Sequence, residues 1–472
     1  MQAEICPRIN HYSNTVMKRT MFITMLAAAL MGGQVFADVI PTTTDATDWG
    51  GGTYAGAYSG TADVSRANVT INEEQEGGDD LSHDGVYGGY TEGEQATASN
   101  NSVTMDGGQV YEVSGGHSNA GSASYNSVTI SGGQVADKVA GGYGRTGVSN
   151  NTASVSAGHI YAVYGGRSKF GNATNNTVTV SGGLVDYIVH GGDASNGGNA
   201  TNNTVNITGG QVATVSGGYG NDGAANNSAI VTGGQVGNLV GGECWTGSVN
   251  GNTVVLSGCI VGGIVAAGYN YTGDEASNNH VYLLGKGANA EIGGKAYTGG
   301  DQGVTVAGYV AGYHALDGAT TIGNSIEVYG TAITAATLCD TQMVNFHIAD
   351  GVLLSQEAMV SLTSTSDGEG LDLTGVEIGF NAADVQDWSA YEGKSITLVK
   401  AAQSITIDQG SLGDVAIKDA NGLTVATATL ALGGSDAMLS LSNIKGVTPV
   451  PEPTTGALSL LALAALAARR RK

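Results

Sequence analysis

The chain has 472 residues, 77 glycines and a formal net charge of −23, with 18 Lys and Arg against 41 Asp and Glu. This acidity, without any basic stripe along the chain, argues against nucleic acid as a partner. Hydrophobic residues make up 41% of the chain, and many are β-branched, which favours a folded, turn-rich β protein over disorder.

The N-terminal region predicts an export signal. Lys18 and Arg19 precede a short apolar stretch that closes on small residues ending at Ala37. This pattern is typical of a secretory signal peptide at residues 17–37, cleaved between Ala37 and Asp38 by signal peptidase after Sec-type export. Because Met17 fits this plan better than Met1, residues 1–16 are interpreted as an upstream misreading of the start.

Residues 38–339 contain a Gly- and Asn-rich repeat, and its period of about 25 residues lies in the range of solenoid repeats. Each unit opens on an asparagine followed by alternating apolar residues, then two Gly-Gly pairs. Regular repeats of this length indicate stacked structural units, because one unit cannot bury its own apolar face. The anchoring asparagines are Asn101, Asn126, Asn151, Asn176, Asn203, Asn227, Asn252 and Asn279.

Two strands are predicted in each unit. In the unit that starts at Asn126, Val128 and Ile130 have the period-two spacing of a strand with one buried face. A second strand is predicted from Gln134 to Val139, and a looser arm leads to the next unit. The fold class is therefore all-β, a right-handed parallel β-helix with ~25-residue rungs stacked at roughly 4.8 Å.

Glycine and proline usage agrees with this fold. Glycine is expected at the corners because it adopts positive φ at low cost. Proline is absent between Pro41 and Pro449, and it lacks the N–H that each rung would donate to its neighbour. The anchoring asparagines are expected to form a ladder of side-chain amides at one corner, and a ligand series is the less favoured alternative.

Three tyrosines, Tyr90, Tyr143 and Tyr219, recur after Gly-Gly pairs. They either cover a turn, which is the favoured interpretation, or line an edge where sugars stack. The repeat is lost near Cys339. Residues 340–447 show short, turn-separated strand patterns typical of a β-sandwich or of a β-rich cap on the solenoid.

The sequence predicts no catalytic residue, no metal site and no cofactor. Parallel β-helices also host polysaccharide lyases and hydrolases, which need converging carboxylates. Glu112, Asp137 and Asp186 lie on second strands but at different offsets, so no pair is predicted. The stretch 217–222 matches one calcium-binding nonapeptide, but that motif works in tandem at a period of nine.

Cysteines give two alternatives. Cys244 and Cys259 are 15 residues apart and could close a small disulfide loop. Alternatively, they are separate thiols in an exported protein that does not depend on disulfides.

The C-terminal segment, residues 448–472, differs from the body. Three prolines at positions 449, 451 and 453 precede an apolar run at 456–468. A helix rises only about 1.5 Å per residue, so this run is a short, marginal membrane span. The final residues Arg469, Arg470, Arg471 and Lys472 would hold this end at the cytoplasmic face.

This three-part tail resembles the PEP-CTERM protein-sorting signal of Gram-negative bacteria. The motif itself matches at Val450, Pro451, Glu452 and Pro453, followed by the apolar run and the basic end. The resemblance implies recognition by exosortase, transient anchoring in the inner membrane by a short transmembrane segment, cleavage near the motif, and delivery to the cell envelope, surface or matrix. The repeat body resembles autotransporter and filamentous-adhesin passenger domains in architecture only.

Taken together, the sequence predicts an exported, non-enzymatic surface protein with a structural or adhesin-like role. The alternatives are a carbohydrate-active β-helix enzyme and a glycan-binding protein without catalysis. An extracellular polysaccharide or a host glycan is the expected partner.

Overall fold

A computed structural model describes residues 19–20, 23–25, 53–71, 75–76, 85–272, 275–315, 320–355, 357–363, 370–382, 385, 387–433 and 437–447. It is all-β and contains a β-solenoid of about 10 turns, which confirms the predicted fold class. The chain divides into two compact units. The first comprises residues 1–282, 305–326 and 340–342, and the second comprises 283–304, 327–339 and 343–472.

A turn of the solenoid starts with a four- or five-residue strand, which we call the ladder strand. In Ser127–Ile130, Val128 and Ile130 are buried while Ser127 and Thr129 are more exposed. Each ladder strand pairs in parallel with that of the next turn, so like residues align. The ladder strands are Asn68–Ile71, Ser102–Met105, Ser127–Ile130, Thr152–Val155, Thr177–Val180, Thr204–Ile207, Ser228–Val231, Thr253–Ser257, His280–Leu284 and Ser325–Tyr329.

The second side of each turn is the long strand. It does not end at the Gly-Gly pair, as the sequence suggested, but continues through it, for example from Gln134 to Gly144. The long strands are Thr53–Ser59, Gly85–Thr91, Gln109–Ser118, Gln134–Gly144, His159–Ser168, Leu184–Ala194, Gln211–Gly220, Gln235–Cys244, and then two split strands, Ile260–Val261 with Val265–Asn270 and Val304–Val306 with Tyr309–Ala315.

The arm predicted to be loose is a third strand. In most turns an alanine or valine of this strand is buried, and Ala98, Ala123, Val148 and Ala173 form one apolar file in the core. This file explains the recurring G-x-A of the sequence. The third strands are Val64–Ser65, Ala98–Ser99, Ser122–Ser124, Gly147–Ser149, Asn172–Thr174, Asn199–Thr201, Gly223–Ala225, Ser248–Asn250, Glu275–Ser277 and Thr320–Ile322.

Positive φ explains only part of the glycine pattern. Gly133, in the first Gly-Gly pair of its turn, has a φ of 85° as expected. The second pair is needed for space instead. A Cβ on Gly142 would lie closer than 3.0 Å to the Asn151 side chain, and a Cβ on Gly141 would lie equally close to the carbonyl oxygen of Gly165. Glycine is therefore required here by close packing between adjacent turns.

The residue before each ladder asparagine is left-handed, a feature that the sequence reasoning missed. Asn150, Asn175 and Asn202 have φ values of 56–57°, and Gly251 and Gly323 hold the same position in later turns. Asparagine and glycine tolerate this region better than other residues. The two residues of each Asn-Asn pair thus have different roles. The first adopts the left-handed conformation that turns the chain, and the second forms the ladder.

The second unit is also β-rich. Its strands are Asn289–Ile292, Lys295–Thr298, Ile333–Ala335, Thr337–Cys339, Met343–Ile348, Val360–Leu362, Leu371–Leu373, Glu377–Ala382, Ile396–Ala401, Ile405–Ile407, Gly413–Lys418, Thr424–Leu432 and Met438–Gly446. Met343–Ile348 pairs in parallel with Glu377–Ala382, and the last three strands are antiparallel. A short helix, Asp350–Leu354, and two 3₁₀ turns, Trp388–Tyr391 and Gln409–Ser411, join them.

Short strands also pair beside the first ladder strand. Arg19–Thr20 pairs antiparallel with Gln75–Glu76, and Ile23–Met25 pairs antiparallel with Asn68–Ile71. Arg19–Thr20 and Ile23–Met25 fall inside the predicted signal peptide.

We expect Gly142→Ala to destabilise the solenoid by about 2 kcal/mol, because the new methyl group must displace the Asn151 side chain in a packed interior. Gly147→Ala is the matched control, since its Cβ would meet only the carbonyl oxygen of Asn172 at 3.5 Å. Urea unfolding followed by circular dichroism measures both. Equal midpoints for the two variants would contradict this account of the second Gly-Gly pair.

Candidate functional site

The eight predicted asparagines form one buried file inside the solenoid. Asn126 shows the pattern. Its backbone N–H and its Nδ2 both donate to Oδ1 of Asn151, at 2.9 and 3.0 Å, and its Nδ2 also donates to the carbonyl oxygen of Ala98 at 2.9 Å. Because each amide is satisfied by the next turn, the file is a structural amide ladder.

Both ends of the ladder differ from the simplest expectation. Asn324 extends it by one residue, and Gln342 closes it by accepting from the Asn324 backbone at 3.0 Å and from its Nδ2 at 2.9 Å. Asn68 is not part of the ladder, because it pairs in register with Ser102 rather than with Asn101. The ladder position of that turn is Ala67, whose N–H donates to Asn101 Oδ1.

A second file lies on the long strands, directly after the second Gly-Gly pair or the two residues in equivalent positions, and we call it the corner file. Its residues are paired in register from turn to turn. They are Tyr58, Tyr90, His117, Tyr143, Arg167, Asp193, Tyr219, Glu243, Tyr269 and His314.

The first four rings of the corner file stack on one another. Tyr90 lies between Tyr58 and His117, with centroid distances of 5.7 and 4.9 Å, and His117 lies 4.4 Å from Tyr143. The ring planes differ by at most 26°. Both faces of Tyr90 are therefore covered by neighbouring rings, which leaves them poorly placed to stack against a sugar and favours the turn-covering interpretation.

His117 is buried inside this stack. Burial lowers the pKa of His117 to about 4, although Glu112 and Asn119 oppose the shift. Its Nε2 lies 3.0 Å from Oδ1 of Asn119, and no hydrogen-bond partner is described for its Nδ1. The imidazole is therefore neutral at pH 7, so it contributes ring packing rather than charge.

Two of the three candidate carboxylates meet at a single lysine. Lys138 contacts Glu112 and lies 3.0 Å from Asp137, and the Tyr87 hydroxyl donates to Glu112. Burial opposes ionisation of Glu112, but Lys138 and Tyr87 outweigh it and hold the pKa of this carboxyl below its usual range. The two carboxylates therefore share one lysine. The lowered pKa of Glu112 does not suit a general acid, which would need a raised pKa.

The third carboxylate lies apart from this group. Asp186 contacts Nε2 of His159 at 2.5 Å, and both side chains are about half exposed. The structure therefore does not bring Glu112, Asp137 and Asp186 together.

A buried acid that sequence reasoning missed lies in the corner file. Asp193 Oδ2 is 3.4 Å from Nδ1 of His190 and 3.9 Å from Nε of Arg167, and its Oδ1 accepts from the backbone N–H of Ser195. Burial opposes ionisation of Asp193, but His190 and Arg167 outweigh it and lower its pKa. The register between turns could have revealed this contact, because it places Arg167 next to Asp193 in the corner file.

The remaining candidates have structural surroundings. In the calcium-like stretch 217–222, the Asp222 carboxylate accepts from the N–H of Gly198 at 2.9 Å and from Asn221 at 2.7 Å. Within the described residues, no group of three or more acids, histidines or cysteines could hold a metal ion. Cys244 and Cys259 are separate buried thiols, and burial raises the pKa of Cys259 to about 12.

The predicted cleavage residues Ala37 and Asp38, the motif at 450–453 and the basic end at 469–472 lie outside the described residues. In the part of the chain that the structure describes, no helix is long and apolar enough to cross a membrane.

Comparison with known families identifies the tail. The family model for the PEP-CTERM protein-sorting motif matches residues 449–472. The chain carries a PEP-CTERM sorting signal. This signal implies an exported, cell-envelope-associated protein that is sorted and processed through exosortase. Comparison with curated proteins and with solved structures gave no match.

Lys138→Met should destabilise the protein by about 3 kcal/mol, because it leaves the buried Glu112 carboxylate without its cation. The double variant Glu112→Gln/Lys138→Met should regain most of this loss. Asp186→Asn, at the exposed pair with His159, is the control and should cost less than about 1 kcal/mol. Chemical denaturation of the four proteins measures the effect, and a double variant no more stable than Lys138→Met would contradict it.

Proposed function

We propose that this chain is an exported surface protein of a Gram-negative envelope, in which the solenoid has a structural, adhesin-like role and catalyses no reaction. The observation that carries the proposal is a PEP-CTERM signal at residues 449–472, C-terminal to a solenoid of about 10 turns. The signal accounts for delivery, and the repeated turns provide a large, regular surface on which partners can bind.

The interior supports a structural role. The amide ladder and the core file of small residues repeat with the same contacts from turn to turn, from Asn101 to Asn324. An active site generally requires a local departure from such rules, with polar groups left poised for substrate. Of the candidate carboxylates, Glu112 and Asp137 instead contact Lys138, and Asp186 contacts His159. This observation favours the structural role over the polysaccharide lyase or hydrolase alternative.

Delivery follows from the two terminal signals. The predicted signal peptide at 17–37 directs Sec-type export, and signal peptidase cuts between Ala37 and Asp38. The apolar run at 456–468 then anchors the chain transiently in the inner membrane, with the basic end on the cytoplasmic side. Exosortase cleaves near the motif and releases the solenoid to the envelope or the extracellular matrix.

Terminal mass spectrometry of the protein from a Gram-negative host with exosortase tests this route. We expect the surface fraction to begin at Asp38 and to lack the peptide ending at Lys472. A triple variant, Pro451→Ala/Glu452→Ala/Pro453→Ala, should keep that peptide and stay in the membrane fraction because exosortase no longer recognises it. Thr454→Ala/Thr455→Ala is the control and should behave as the wild type.

The same host without exosortase should retain the intact tail on the wild-type protein. Surface material that still ends at Lys472 in the host with exosortase would overturn the sorting proposal.

A further inference from the structure

One part of the corner file departs from the stacked arrangement. Trp245 follows the long strand Gln235–Cys244 and is 48% exposed. Its ring lies 4.9 Å from that of Tyr271, and Tyr271 lies 4.8 Å from Tyr269. Tyr269 in turn lies 4.9 Å from His314. We call these four residues and Glu243 the Trp245 patch, and all five belong to the first compact unit.

The rings of the Trp245 patch are tilted rather than parallel. The angles between successive planes are 32°, 59° and 39°, whereas successive planes in the stack from Tyr58 to Tyr143 differ by at most 26°. Tilted neighbours cover less of each ring face than parallel ones do. The exposed tryptophan therefore offers an aromatic face that the stacked rings of the earlier turns do not.

A fixed carboxylate accompanies these rings. The Tyr271 hydroxyl donates to Oε1 of Glu243 at 2.7 Å. Burial and the nearby Glu243 charge both raise the pKa of Tyr271, so the phenol stays protonated and keeps donating. A carboxylate has acceptor sites for about four hydrogen bonds, so this contact orients Glu243 without exhausting it.

The Trp245 patch also lies where the repeat changes. The long strand Gln235–Cys244 is continuous, but its neighbour is split into Ile260–Val261 and Val265–Asn270. The ladder spacing rises from 27 residues between Asn252 and Asn279 to 45 between Asn279 and Asn324. Departures from an otherwise regular pattern are where functional sites are expected.

We propose that the Trp245 patch binds a neutral polysaccharide, a proposal that rests on the surface role argued above and names its partner class. The Trp245 face packs against the C–H groups of a sugar ring, which carry partial positive charge and are attracted to the negative aromatic face. Glu243 accepts hydrogen bonds from sugar hydroxyls. The formal net charge of −23 repels anionic polymers, which favours neutral chains over anionic ones.

Phe170 provides a matched control because it is another exposed aromatic residue after a long strand. It is 51% exposed, but Arg145 and Lys169 lie 5.0 and 5.4 Å from its ring centroid. Both cations make cation–π contacts with the Phe170 ring, so its face is less available to a sugar. Removing Phe170 therefore deletes a similar exposed area without touching the Trp245 patch.

Affinity electrophoresis of the exported chain in gels containing dextran, xylan or galactomannan tests the proposal, with anionic alginate as the contrast. We expect at least one neutral polysaccharide to retard the wild type, and alginate to have no effect. Trp245→Ala should weaken the apparent affinity at least tenfold, Trp245→Phe should keep part of it, and Phe170→Ala should match the wild type.

Retardation by none of the neutral polymers, retardation by alginate alone, or equal retardation of Trp245→Ala and wild type would each overturn the proposal. Circular dichroism melts establish that the variants fold. Surface delivery is measured separately by fractionation, and Trp245→Ala should be sorted and processed normally. A loss of binding with normal sorting thus bears on the patch alone, whereas failed sorting bears on the proposed surface role.

Discussion

The asparagine ladder is the constraint on which the solenoid depends. As at Asn126, the backbone N–H and the side-chain amide of a ladder residue both donate to the asparagine of the next turn, and the amide of Asn126 also donates to a third-strand carbonyl. These groups are fully buried, so every missing bond would leave a desolvated amide at a cost of about 1–3 kcal/mol. The ladder also determines the glycines, because a Cβ on Gly116 or Gly142 would collide with the asparagine beside it.

This constraint leaves the outer positions of the turn free to vary. Two neighbouring long strands each carry two buried valines, and the spacing of these valines differs. Val110 and Val113 are three residues apart, whereas the equivalent Val135 and Val139 are four apart. The extra residue is absorbed in a bulge, and the Asp137 and Lys138 side chains of this bulge form the ion-pair group with Glu112. The repeated interior geometry and the variable exterior are therefore separate, which allows a surface patch to form without disturbing the core.

The sequence was sufficient for the fold because its signals are local and repeated. Alternating apolar residues such as Val128 and Ile130 predict strands, and asparagines about 25 residues apart predict stacked turns. The third strand was missed because three residues with one buried alanine give little periodicity. The second strand was predicted to end at Val139, because a Gly-Gly pair usually marks a chain reversal. Here the pair lies inside the strand, where close contact between neighbouring solenoid turns requires glycine.

The candidate sites were harder to predict, because their residues meet only through the register between turns. His117 and Tyr143 are equivalent positions in neighbouring turns, yet bulges of different length conceal this in the sequence. His314 joins Tyr269 across an insertion that lengthens one turn. The Trp245 patch depends on which positions of successive turns are equivalent and on the angles between its rings, and neither is visible in the sequence.

The most direct test of the ladder compares two adjacent asparagines with different roles. Asn176→Ala removes a buried ladder amide, while Asn175→Gly keeps the left-handed turn at an exposed residue. In urea unfolding, Asn176→Ala should lose about 3–5 kcal/mol because it leaves donors of Asn151 unsatisfied, and Asn175→Gly should change stability by less than about 1 kcal/mol. Similar unfolding midpoints for the two variants would contradict the central role of the ladder.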